Sequence, residues 1–115
     1  MSDIHALTEL LLKFRDERNW KQFHNPKDVA LSLTLEAAEL LELMQWKSGA
    51  ELTEHLEKNK EAVSDELADI LAWVLVFASD QKINMVDALK AKIAKNAEKY
   101  PIEKSRNLAK KYTDL

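Results

Sequence analysis

The sequence predicts an all-α fold, a bundle of four helices. Three observations carry this. Apolar residues recur at three- and four-residue spacing through most of the chain. Breakers are scarce, with one glycine and two prolines in 115 residues. No stretch shows the β-branched alternation of a half-buried strand.

The first helix is expected from about residue 2 to 18, where Leu7, Leu10, Leu11 and Phe14 form one apolar face. The second is expected over 26–47. Asn25 suits its N-cap, Pro26 its first position, and Asp28 the positive end of the helix dipole. Gly49 suits its exit. The polar stretch 50–60 reads as a loop with a short helical turn. The third helix is expected over 61–80. The fourth follows Asn84, a good N-cap with Asp87 in the first turn, and ends before Pro101.

Length fits one domain spanning 1–115. With 46% hydrophobic and 32% charged residues, the composition is that of a globular chain rather than a disordered one. A net charge of −3 excludes a general nucleic-acid binder, which needs a basic stripe. The absence of cysteine excludes disulfide and thiol chemistry and fits a reducing cytoplasm. The N-terminus shows no signal-peptide pattern. The longest apolar run, Ile70 to Ala78, has nine residues, whereas a membrane span needs roughly twenty.

Helices two and three carry more apolar surface than one short bundle can cover. Leu33, Ala37, Leu40, Leu41 and Met44 form one face of helix two, and Leu31, Leu35 and Ala38 lie on another side. Helix three is apolar nearly all round between Leu67 and Ala78. A helix apolar on every side must be covered on every side. A homo-oligomer, at least a dimer, is therefore expected, with these two helices near its interface.

Acidic residues interrupt the same apolar surfaces. Glu36 and Glu39 on helix two, and Glu66 and Asp69 on helix three, are each spaced i, i+3 and share a face. The 26 intervening residues, 40–65, are enough for one helix to end and the next to return. Leu43 and Leu40 neighbour the first pair, and the apolar run follows Asp69 directly. Buried, unpaired carboxylates are costly and repel one another. A hard divalent cation such as Mg²⁺ resolves both problems, because it takes oxygen ligands and bridges readily to phosphates. No Glu-x-x-His occurs, so the ligand set of a di-iron bundle is missing. Spacing alone also fits structural, salt-bridged carboxylates. Glu51, Glu54 and Glu57 share the spacing among polar neighbours and read as surface.

The segment from Leu35 to Lys47, with Glu36, Glu39, Gln45 and Trp46, followed by Asp65-Glu66-Leu67-Ala68-Asp69, resembles the MazG-like all-α nucleotide pyrophosphohydrolases. Arg18 to Pro26 upstream resembles the dCTP pyrophosphatase branch, as do Lys92, Asn96, Tyr100 and Pro101 downstream and the tail Lys110 to Leu115. The resemblance implies that Glu36, Glu39, Glu66 and Asp69 bind magnesium. It implies that Trp20, His24 and Trp46 lie near the base and sugar, and that Lys92 and Asn96 contact the nucleotide. Trp73 stands one turn after Asp69, where that branch has tyrosine; an aromatic surface is kept and a hydroxyl lost. Dimers or tetramers of the helical unit are also implied.

The function so implied is Mg²⁺-dependent cleavage of a nucleoside triphosphate to the monophosphate and pyrophosphate. Water would attack the α-phosphorus, with Glu39 the first choice for positioning it and Lys92 offsetting phosphate charge. Two alternatives stand beside it. One is a related pyrophosphohydrolase acting on dUTP, an oxidised nucleotide or phosphoribosyl-ATP. The other is a non-catalytic helical oligomerisation module.

Overall fold

A computed structural model describes residues 2–115 and contains no strand among them. The chain is all-α, as the periodicity predicts. Its helices are α1 (Asp3–Glu17), α2 (Pro26–Glu42), α3 (Gly49–Lys58), α4 (Lys60–Asp80), α5 (Met85–Lys99) and the single turn α6 (Ile102–Ser105). Short 3₁₀ turns lie at Lys21–Phe23 and Tyr112–Asp114.

The predicted caps form. Asn25 accepts from the Asp28 amide at 2.9 Å, and Asn84 accepts from the Asp87 amide at 3.0 Å. Ser2 does the same for the His5 amide at 3.1 Å. Each satisfies an amide that would otherwise be orphaned at a helix start, worth about 1 kcal/mol.

The expected loop at 50–60 is a correction: it is the ten-residue helix α3. Its residues are mostly polar and most are good helix formers, and Leu52 and Leu56, one turn apart, give it a half-buried apolar side. Lys58 pairs with Glu54 at 2.7 Å across one turn, adding local support. Helix two also ends earlier than predicted, at Glu42. The amides of Leu43, Met44 and Gln45 bond three residues back rather than four, so the last turn tightens. Trp46 then takes a left-handed φ of 71°, which reverses the chain. Gly49 is also left-handed, at 55°, but it opens α3 instead of closing α2.

By contact the chain forms two compact units, one ending at Lys82 and the other Ile83–Leu115. In the first unit α4 is the hub, packing mainly on α2, then on α1, and lightly on α3. Val29 of α2 and Leu75, Val76 and Ala78 of α4 are its buried apolar centre. Residues near the start of α2 meet the end of α4, while Glu36 and Glu39 meet Glu66, so the two helices run antiparallel. In the second unit α5 is followed by a tail whose Tyr112 ring sits edge-on to Tyr100 at 6.0 Å, with the Lys99 ammonium 4.9 Å from the Tyr112 ring.

Much apolar surface stays open. An apolar groove of about 500 Å³ runs between α1 and α4, lined by Leu7, Leu10, Phe14, Ala68, Leu71 and Leu75. Leu31 and Leu35 on α2 and Leu67 on α4 are exposed as well. No helix among the described residues is long and apolar enough to cross a membrane.

Candidate active site

The antiparallel pairing of α2 and α4 brings carboxylates from both helices together. One oxygen each from Glu36, Glu39 and Glu66 lies within 4.8 Å of the others. Glu36 and Glu66 are half-buried and Glu39 is exposed. Oε2 of Glu36 and Oε2 of Glu66 are buried without a hydrogen-bond partner. Asp69 is exposed and stands outside this close group, but near enough for its charge to act on Glu36 and Glu66.

The electrostatics follow from that crowding. Burial is the largest cause pushing the Glu36 carboxyl up to about 7, followed by the close approach of the Glu66 and Glu39 carboxyl groups and by the charges of Glu39 and Asp69. Burial also raises the Glu66 carboxyl, helped by the charges of Glu39 and Asp69, while the adjoining Glu36 carboxyl opposes the rise. Without a counter-charge, the pair retains a proton near neutrality.

A divalent cation fits this donor set. Three oxygens are within coordinating reach of one point, all are hard ligands, and two buried oxygens lack any partner. The acids of α3 supply the contrast. Glu51, Glu54 and Glu57 are exposed and each pairs with a lysine, as solvated acids should.

The raised carboxyls carry a sign. A folded carboxyl that holds its proton more tightly than an unfolded glutamate near 4.5 stabilises the fold fully below that value. The contribution is lost as pH rises through about 7. In chelator, the protein is therefore expected to melt lower at pH 8 than at pH 5.5, and Glu36→Gln should shrink that difference. An undiminished difference in the variant would assign the titration elsewhere.

The nucleoside-side residues are distributed unevenly. His24 and Trp73 meet edge-to-face, with ring centroids 5.3 Å apart. Burial is the main cause lowering the His24 pKa, with the Arg15 charge adding to it and Asp80 opposing, so the ring is neutral at pH 7. Trp20 instead packs edge-on to Phe14 at 5.8 Å beside the Arg18 guanidinium. Trp46 is 91% exposed. Lys92 and Asn96 lie on exposed positions of α5 in the second unit.

Sequence reasoning missed one pair of charged residues. Arg15 of α1 is only 4% exposed and holds Asp80 of α4 through two hydrogen bonds of 2.9 and 3.0 Å. The sole signal was an arginine in register with Leu11 and Leu12; its partner lies 65 residues away, beyond any spacing rule.

With this geometry in view, comparison with known proteins is decisive. The MazG-like family model matches residues 31–115. The chain belongs to the MazG-like family. It groups with the dCTP pyrophosphatase branch. It is 39% identical to dCTP pyrophosphatase 1 of Rattus norvegicus over 114 residues, covering 97% of this chain and 67% of that protein. The same protein from Homo sapiens is 32% identical, again covering 97% of this chain and 67% of the relative. The crystal structure of a pyrophosphatase from Archaeoglobus fulgidus superposes with a TM-score of 0.84 at 40% identity, covering 88% of this chain and 94% of that one. This MazG-like chain is accordingly a nucleotide pyrophosphatase, and the reading as a non-catalytic module falls away.

Proposed function

We propose that the chain, acting as one functional unit over its 115 residues, hydrolyses dCTP or a modified dCTP to the monophosphate and pyrophosphate with Mg²⁺ as cofactor. The observation that carries this is the meeting of Glu36, Glu39 and Glu66 with buried oxygens left unpartnered. The choice of nucleotide follows the relatives of the dCTP branch.

Glu36, Glu39, Glu66 and Asp69 would hold the cation. When bound, Mg²⁺ supplies positive charge for phosphate oxygens and a more acidic water. Glu39, the exposed member of the cluster, positions the attacking water and takes its proton. A bond forms from the water oxygen to the α-phosphorus, the α–β bridging bond breaks, and pyrophosphate leaves with the electron pair. The neutral His24 and the Trp73 indole give the nucleoside a polar edge and a flat apolar wall. Trp20, Trp46, Lys92 and Asn96 keep the nucleotide-contact roles that the family resemblance implies for them.

The test is a panel of canonical dNTPs and NTPs with Mg²⁺, followed by product analysis. Monophosphate and pyrophosphate from dCTP above all others is the expected result. Orthophosphate as the first product, or no cleavage of any nucleotide, would refute it.

Self-association is part of the proposal. The open groove between α1 and α4 and the exposed leucines of α2 are apolar surface that a second copy would cover. Light scattering at micromolar concentration is expected to give a dimer or larger; a monomer would contradict it.

A further inference from the structure

Each compact unit leaves one apolar surface open. In the first unit it is the groove between α1 and α4. On α1, Asp3, Leu7, Leu10, Phe14 and Glu17 follow one another at three- and four-residue steps, so acids bracket the apolar stripe at both ends. Leu10, in its middle, is 65% exposed. On α4 the small residues Ala68 and Ala72 line the groove, and Asp65 stands three and seven residues before them on the same side of the helix. Asp3, Glu17 and Asp65 are exposed, and none forms an ion pair among the described residues. The nearby cations do not reverse this balance. Arg18 rests on the Phe14 ring at 3.7 Å, and Lys13 has Glu9 and Glu17 one turn away on either side.

In the second unit the open surface is α5 itself. Val86, Leu89 and Ile93 form its stripe at i, i+3 and i+7. Leu89 and Ile93 are exposed, as is every residue from 89 to 99. A helix of 15 residues left this bare is marginal in water and owes its stability to whatever covers its apolar side. Lysines edge the stripe, Lys90 on one side and Lys92 on the other, while Asp87 and Glu98 lie toward the back of the helix.

The two surfaces match in length. Leu7 to Phe14, Ala68 to Leu75 and Val86 to Ile93 each span about 10 Å of helix. They also match in charge. The unit ending at Lys82 carries nine basic and sixteen acidic side chains, and the unit Ile83–Leu115 carries eight and four, so −7 can meet +4. Groove against groove would oppose acids to acids, and stripe against stripe lysines to lysines. Both surfaces are open in one chain, so each needs a second molecule. We propose that α5 of a second copy seats its Val86, Leu89 and Ile93 in the groove between α1 and α4, and that the exchange is reciprocal, closing a two-fold dimer. This rests on the self-association proposed above and names the surfaces that carry it.

The chain has no cysteine, so introduced thiols report without background. Leu10→Cys in the groove and Ile93→Cys on the stripe are made as separate proteins with different tags, co-expressed, and joined by a short bismaleimide. Glu54→Cys, on the exposed side of α3, measures chance cross-linking. The expected main product is a covalent dimer carrying one of each tag. Should Leu10→Cys fail to fold, Leu7→Cys takes its place. A symmetric dimer of Leu10→Cys as the main product would mean that groove faces groove, which overturns the exchange and leaves self-association standing. The double variant Leu10→Cys/Ile93→Cys must not close on itself; a covalent monomer there puts the helix in its own groove and is equally fatal. Leu89→Asp is expected to turn the dimer into a monomer by light scattering. A dimer that persists in this variant, or that cross-links no better than the Glu54→Cys control, associates through other surfaces and overturns the exchange alone. A parent protein that is monomeric at micromolar concentration overturns self-association and the exchange together.

Discussion

Glu36→Gln is expected to lower nucleotide hydrolysis by at least about 10²-fold while leaving the protein folded. The substitution keeps the shape of the side chain and removes the charge. In the cation-free protein that charge is a burden: Glu36 is half-buried beside Glu39 and Glu66, and one of its oxygens lacks a partner. Removing it relieves repulsion, so the melting temperature in chelator should not fall at pH 8. An amide is a far weaker cation ligand than a carboxylate, so function should fall. This opposition between activity and stability distinguishes a ligand from an ordinary structural carboxylate, whose loss would lower both. Glu66→Gln should behave alike. Asp69→Asn tests the fourth acid, which the structure keeps exposed and apart from the close group. An effect near that of Glu36→Gln would show that Asp69 joins the cluster in the working enzyme.

The second large effect is stabilisation by the cation. An ion that binds the folded chain and not the unfolded one adds about 2.7 kcal/mol at a hundred times its dissociation constant. Mg²⁺ is therefore expected to raise the melting temperature by several degrees at pH 8, and by much less at pH 5.5. Protons compete for Glu36, whose carboxyl is held up to about 7, and for Glu66, shifted in the same direction. Ca²⁺ should stabilise as well without supporting equal turnover, since its looser coordination orders the phosphates less. A Mg²⁺ effect that is independent of pH would mean binding at some other place.

The fold was readable wherever local rules speak. Asn25 and Asn84 marked helix starts because a side-chain acceptor there completes the first turn. The acid pairs were readable because carboxylates among leucines break the binary pattern. What local rules miss is of two kinds. The helix at 49–58 is hard to read because its apolar side rests on only two leucines, Leu52 and Leu56, set one turn apart among charged residues. Arg15 and Asp80 were missed because a pair so distant in sequence is created only when α1 meets the end of α4. The early end of α2 belongs with the first kind: Leu43 and Met44 continue the apolar period, yet Trp46 turns left-handed and closes the helix. That last choice presents an almost bare indole, which no propensity scale would place there.

The most direct measurement is a Mn²⁺ titration followed by electron paramagnetic resonance at pH 8, with Mg²⁺ as competitor. Saturable binding displaced by Mg²⁺ is expected in the parent chain, with binding lost or strongly weakened in both Glu36→Gln and Glu66→Gln. Undiminished Mn²⁺ binding in these two variants would contradict a cation held between α2 and α4.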